Sequence, residues 1–164
     1  MRGLTIPVQW KGQTKLALLD HGYCIGIPLD DNHPQPNAFG APLYEASPHK
    51  EGNWIGDTRS GASVNFYNLR INPHGNGTHT ECVGHISKER FSVHETLADG
   101  YWLAQVISVY PTQVDNGDRV IDHLEWDDDV EALIIRTLPN YPDKQIRQYT
   151  NSNPPYLHHE VAAR

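Results

Sequence analysis

The stretch "ALIIRTL", Ala132–Leu138, decides the fold class. Its apolar residues run almost without interruption, the character of a β-strand covered on both faces. Upstream, "YWLAQVISVY" (Tyr101–Tyr110) is rich in β-branched and aromatic residues and reads as a second strong strand. At the N-terminal end "LTIPVQW" alternates Leu4, Ile6, Val8 and Trp10 at the period of a half-buried strand. Lys11–Gly12 then turns the chain and "TKLALLD" returns, which predicts a hairpin. "YCIGIPL" is another apolar run, and "SVNFYNLRI" (Ser63–Ile71) another strand. Strands separated by short polar stretches, with few helical patterns, predict a β-rich α/β fold.

Two segments depart from this pattern. Residues Asp30–Gly61 are dense in Pro, Gly, Asn and Asp and read as a long surface excursion. Loops of that length in compact domains are usually functional. Phe39, Tyr44 and Trp54 within it offer either apolar surface to a substrate or anchors for the loop itself. "DHLEWDDD", between the two strong strands, reads as a solvated acidic helix or turn. The last residues, "NSNPPYLHHEVAAR", put Pro154–Pro155 behind Asn153, a helix-start pattern. Leu157 and Val161 lie four apart, as on one buried helical face. No strand follows that helix, although β–α units normally continue to one, so the expectation is one domain over residues 1–164, incomplete at its C-terminal end.

Composition narrows the partners. The 164 residues include 13 Lys and Arg against 20 Asp and Glu, a net charge of −7. With no basic stripe to offset it, that balance argues against nucleic acid and anionic membrane surfaces. No apolar run approaches the length of a transmembrane helix, and the N-terminus lacks the apolar core of a secretory signal. Cys24 and Cys82 are too few for a disulfide framework and read as thiols of a cytoplasmic protein.

The chemistry concentrates in "NPHGNGTHTECVGH", Asn72–His85. Three histidines surround one acid, and imidazole with carboxylate is a donor set suited to zinc, manganese or iron. His79 and Glu81 are two apart, so extended backbone points both to one side. His74 lies across the glycine-rich turn and is a third candidate ligand. His85, four beyond Glu81, returns to the same face if the backbone turns helical, placed to move protons rather than to bind metal. Cys82 points away from His79 and Glu81 in extended backbone and reads as a structural thiol. His21, His33, His49, His94 and His123 read as ordinary surface or structural groups. His158 and His159 are adjacent, and helical neighbours point apart.

"GTHTECVGH" resembles the signature of the cyclase family of metal-dependent hydrolases, which includes bacterial kynurenine formamidase and isatin hydrolase. That signature is His-x-Gly-Thr-His-x-Asp-x-Pro-x-His. Gly77, Thr78, His79 and His85 match it in place, Glu81 stands for its Asp, and Val83 for its Pro. Its first His would fall on Gly75, and here His74 sits one residue earlier. "GIPL", "GDTRSGASVN" and "NSNPPYL" look like one bacterial branch of the same family, so the likeness spans almost the whole chain.

The resemblance implies a swivelling β/β/α domain, usually in dimers or tetramers, holding zinc or manganese. It implies His74, His79 and Glu81 as metal ligands and His85 as general acid/base. The implied reaction is hydrolysis of an amide or formamide C–N bond by metal-bound hydroxide, of the arylformamidase type found in tryptophan catabolism. Isatin-type cyclic amides suit the same machinery. Family members draw a later His and Glu into the site from the final third of their fold, beyond the position of Arg164. The alternatives are therefore a non-catalytic chain of this fold that binds metal, or a small-molecule module in which the cluster is structural.

Overall fold

The computed structural model describes residues 3–97 and 100–164; Met1 and Arg2 of the N-terminal segment lie outside them. Strands run over Thr5–Trp10 (β1), Gln13–Leu18 (β2), Glu45–Pro48 (β3), Lys50–Glu51 (β4), Trp54–Ile55 (β5), Tyr67–Arg70 (β6), Ala104–Val109 (β7), Thr112–Gln113 (β8), Arg119–Ile121 (β9), Ala132–Thr137 (β10) and Tyr156–Leu157 (β11). The α-helices are single turns: Pro73–Asn76 (α1), Val93–Thr96 (α2) and His159–Ala162 (α3). The protein is strand-rich with little helix, as the sequence pattern predicts. None of its helices is long and apolar enough to cross a membrane, among the described residues. The chain divides into two compact units, one of residues 1–25, 98–139 and 155–164, the other of 26–97 and 140–154.

In the first unit β1 and β2 form the expected hairpin, in register from Thr5↔Leu18 to Trp10↔Gln13. Lys11 (φ 49°) and Gly12 (φ 69°) are both left-handed, as the two central positions of a type I′ turn require. Strands β7 and β10 pair in parallel, Val106 opposite Ile134 and Ser108 opposite Arg136. "ALIIRTL" is therefore a parallel strand, but it is covered on one face only. Ile107 and Ile135 are half-buried, whereas Val106 is 60% and Ile134 39% exposed. The β8–β9–β11 sheet carries the buried apolar residues of the described chain, Val120 and Ile121, with Leu124 just beyond. Leu124 falls inside the acidic stretch 122–129, which forms no helix and is irregular up to a turn at 128–129.

The C-terminal segment also differs from expectation. Leu157 is not on a helix: Tyr156 and Leu157 pair in parallel with Val120 and Ile121. Proline pushes its preceding residue toward extended backbone, so Pro154–Pro155 delivers a strand first. The helix starts later, with His158 as its cap at φ −62°, ψ 144°. Because His158 is outside the helix, its ring meets that of His159 at 4.3 Å instead of pointing away.

In the second unit β3 pairs antiparallel with β6 and β4 with β5. "YCIGIPL" forms no strand. The 30–61 segment is not a bare excursion, because it folds on buried polar side chains. Gln35 donates to the Tyr44 carbonyl (2.9 Å) and accepts from its N–H (3.0 Å). Asn37 donates to the Ala41 carbonyl at 2.7 Å. Asp57 caps the turn Thr58–Ser60 and takes a two-pronged bond from Arg59. That guanidinium holds the Asp57 carboxyl down at about 2, helped by the Arg59 N–H and the Tyr67 hydroxyl against the cost of burial. Trp54 packs with His49 and Phe66, ring centroids 6.3 and 6.2 Å away, so it anchors the segment.

The exposed surface is 13271 Å². A folded monomer of 18.5 kDa exposes about 8,200 Å², and two independent halves together about 9,900 Å².

Candidate metal centre

The site starts from a local helix signal. Asn72 caps α1, its side chain accepting from the Gly75 N–H at 3.1 Å, and Pro73 takes the first helical position, the preferred pair for a helix start. The single turn that follows lifts His74 off the end of β6. Asn76, 0% exposed, locks the turn: its side chain accepts from the Asn72 N–H (2.6 Å) and donates to the Pro42 carbonyl (2.8 Å).

Gly75 explains why the histidine stands at 74. A Cβ on residue 75 would lie 2.3 Å from the Ala41 Cβ and 3.1 Å from the Ala38 carbonyl oxygen. Here α1 presses on the turn Ala38–Ala41, closed by the Ala41 N–H to the Ala38 carbonyl and joined to α1 by the Ala38 N–H to the Gly75 carbonyl. Phe39 (φ 58°) and Gly40 (φ 63°) are both left-handed there, and Phe39 stands 77% exposed. Position 75 has no room for an imidazole, and position 74 does.

Beyond Gly77 the chain is irregular to Cys82 and then makes the turn Val83–His85. That turn rests against Phe91. A Cβ on Gly84 would lie 2.2 Å from the Phe91 carbonyl oxygen, and the Cys82 thiol donates to the same oxygen at 3.4 Å. The Cys82 thiol thus has a backbone partner in Phe91. The turn brings His85 back beside Glu81.

Three imidazoles converge on one carboxylate oxygen. Glu81 Oε2 lies 3.2 Å from His74 Nδ1, 3.5 Å from His79 Nε2 and 3.7 Å from His85 Nδ1. The rings of His74 and His85 stack at 4.3 Å, and His79 meets His74 edge-on at 4.9 Å. Donor atoms of His74, Glu81 and His85 all lie within 4.8 Å of one another. All four residues approach Glu81, but the mutually close donors are His74, Glu81 and His85: His85, expected to move protons, stands in the group, and His79, expected as a ligand, is near Glu81 but outside it.

The donor set fits a divalent cation. His79 Nδ1 is 2.9 Å from the Gly77 carbonyl, which can only accept, so Nδ1 carries the proton. In the neutral ring Nε2 is then a lone pair aimed at an anionic oxygen. Metal-bound histidines commonly hold their second nitrogen this way. A single oxygen cannot accept from three rings at these distances, and three imidazolium cations would repel one another. Two ligands each about 2.0–2.1 Å from a tetrahedral ion stand about 3.3–3.4 Å apart, and the separations of Glu81 Oε2 from the three imidazole nitrogens, 3.2–3.7 Å, span that value.

Two cavities flank this cluster within the same unit. One, of about 610 Å³, is lined by Phe39, Ala41, Asn72, His74, His79, Glu81 and His85. The other, of about 310 Å³, lies across His74 and includes Ile27, Ala38, Thr78, Lys144 and Tyr149. Sequence reasoning missed the supporting groups: Asn76, the Asn37 and Gln35 amides, and Thr78, whose hydroxyl accepts from the Ile27 N–H at 2.9 Å. The Asn-Pro pair at 72–73 was a readable sign of α1; the buried amides carry no periodic signal. No protein-family model, curated protein or solved structure matches the chain.

Proposed function

We propose that this protein is a metal-dependent hydrolase of amide or formamide C–N bonds, of the arylformamidase type. The observation that carries the reading is the convergence of three histidine nitrogens on Glu81 Oε2. His74, His79 and Glu81 would hold zinc or manganese. The ion, when bound, supplies a water with a pKa near about 7 and a Lewis acid for the scissile carbonyl. His85 moves the proton: it protonates the departing nitrogen, because an amine leaves poorly as an anion. The Gly77 carbonyl keeps His79 in one tautomer throughout. Phe39, at the cavity rim, offers its ring to an aryl group on the substrate. A volume of about 610 Å³ lies within the range of small-molecule sites, so cyclic amides of the isatin type fit the same proposal.

The swivelling β/β/α arrangement, the cytoplasmic setting and assembly into dimers or tetramers belong to this proposal. The exposed apolar surface, Val106 and Ile134 included, favours assembly. It equally favours a second reading, in which this chain binds metal but does not turn over by itself.

Two measurements separate the readings. Protein purified without chelator should carry about one divalent ion per chain; none would exclude both. Hydrolysis of formanilide-type substrates with added zinc or manganese supports the first, and bound metal without turnover the second. His79→Ala should lose the ion. His85→Ala should keep it and lose about 10²–10⁴-fold in rate.

A further inference from the structure

A second cavity adjoins the metal cluster across His74, and the chemistry above makes no use of it. It encloses about 310 Å³, and His74 lines both this space and the larger cavity on the cluster side. One wall comes from Lys144 and Tyr149, whose segment is fastened to the 35–40 loop. The Asn37 N–H donates to the Arg147 carbonyl (3.3 Å), and the Tyr149 N–H donates to the Asn37 carbonyl (2.7 Å). The Gln148 side-chain amide adds a bond to the Gln35 carbonyl (2.8 Å). The same loop is tied to α1 by the Ala38 N–H to the Gly75 carbonyl.

The polar groups of this lining are engaged with one another or with their neighbours. The Asn37 amide donates to the Ala41 carbonyl (2.7 Å), and its Oδ1 accepts from the Thr150 hydroxyl (3.2 Å). The Ala38 carbonyl accepts from the Ala41 N–H. The Thr78 hydroxyl oxygen accepts from the Ile27 N–H (2.9 Å), and the Gly77 carbonyl from His79 Nδ1 (2.9 Å). Lys144 has a partner of its own. What remains for a ligand is carbon: the side chains of Ile27, Pro36 and Ala38 and the rings of His74 and Tyr149. Gly75 and Gly77 add no side chain to fill the space. A charged group entering it gives up its water and gains no new partner, which is costly, whereas a flat carbon ring gains by leaving water. An apolar cavity of about 150 Å³ already holds benzene, so about 310 Å³ takes one ring with a substituent.

We infer that this cavity binds a small uncharged aromatic ring, with Tyr149 as the residue that packs on it. Resting on the proposed hydrolase reading, the inference narrows the substrate class to amides that carry an uncharged ring away from the scissile bond. The wall shared at His74 puts the two ends of such a substrate in adjoining cavities.

The test needs no metal and no turnover, so it stands apart from the hydrolase reading. Toluene, benzoate and benzylammonium are close in shape and differ in charge. Each is titrated into the metal-free 164-residue protein, with chelator, at neutral pH, and followed by amide NMR shifts. Wild type should bind toluene about tenfold or more tighter than either charged probe, with shifts at Ala38, Gly77, Thr78 and Tyr149. Tyr149→Ala leaves the backbone bond to Asn37 in place and should weaken toluene about threefold to tenfold, the worth of one aromatic contact. Tyr149→Phe should match wild type. Toluene bound no tighter than the charged probes overturns the inference whether or not a variant folds, and so does wild-type affinity in folded Tyr149→Ala. If the preference for toluene holds and no divalent ion binds, the hydrolase reading fails while the ring site stands.

Discussion

Substituting Gly75 by alanine tests how the site is built. The new Cβ would lie 2.3 Å from the Ala41 Cβ, where carbon atoms settle at about 3.5–4.0 Å. Either α1 or the Ala38–Ala41 turn must move by roughly 1.2–1.7 Å, since the contact is with backbone-borne Cβ and not with a flexible tip. Overpacking of this kind costs about 1–3 kcal/mol. Stretching the bond from the Ala38 N–H to the Gly75 carbonyl adds about 0.5–1.5 kcal/mol. Alanine's better helix propensity returns at most about 1 kcal/mol. The net expectation is a loss of about 1–3 kcal/mol in urea unfolding. The neighbouring His74 moves with the helix, and metal–ligand distances tolerate only about 0.2 Å. Zinc affinity by chelator competition should therefore fall about 10–100-fold, the loss typical of a disturbed supporting shell. Gly22→Ala is the control, because nothing lies within 4 Å of its added Cβ, and it should stay within about 0.5 kcal/mol of wild type. A Gly75→Ala protein matching wild type in both stability and zinc affinity would refute the close-approach argument.

Other expectations follow from single groups. Asn76→Leu removes the acceptor for the Asn72 N–H and the donor to Pro42, and losing both bonds of this buried amide should cost about 1–3 kcal/mol by urea denaturation. Glu81→Gln keeps shape but removes the charge at the centre of the cluster, and divalent-ion affinity by calorimetry should drop at least about 100-fold. Asp57 is depressed to about 2 from 3.8 by Arg59, so its contribution is present above about pH 4 and is lost as pH falls through about 2. Acid unfolding followed by circular dichroism should show that loss in wild type and not in Asp57→Asn.

The hairpin, the strand character of 104–109 and 132–137, and the four residues of the cluster were legible because each is a local pattern. Alternation in "LTIPVQW", the near-continuous apolar run of "ALIIRTL" and the spacing of His74, His79, Glu81 and His85 are all patterns within a few residues. What sequence could not supply is long-range. The one-sided cover of β10 depends on what packs against Val106 and Ile134. The order in 30–61 rests on Gln35 and Asn37, polar residues that look like loop composition until their partners at 44, 41 and 148 are known. At the C-terminus Leu157 carried a helical spacing, but pairing with Ile121 overrode it.

The two cavities beside His74 differ in how much chain each must enclose. The cluster is a short-range object, with all four donors between residues 74 and 85. The Lys144 wall closes a loop spanning 113 positions from Gln35 to Gln148, and such closures carry a larger entropic cost. As denaturant rises, that long closure should open before residues 74–85 disperse, so the protein passes through a form whose four clustered side chains still converge after the longer loop has let go.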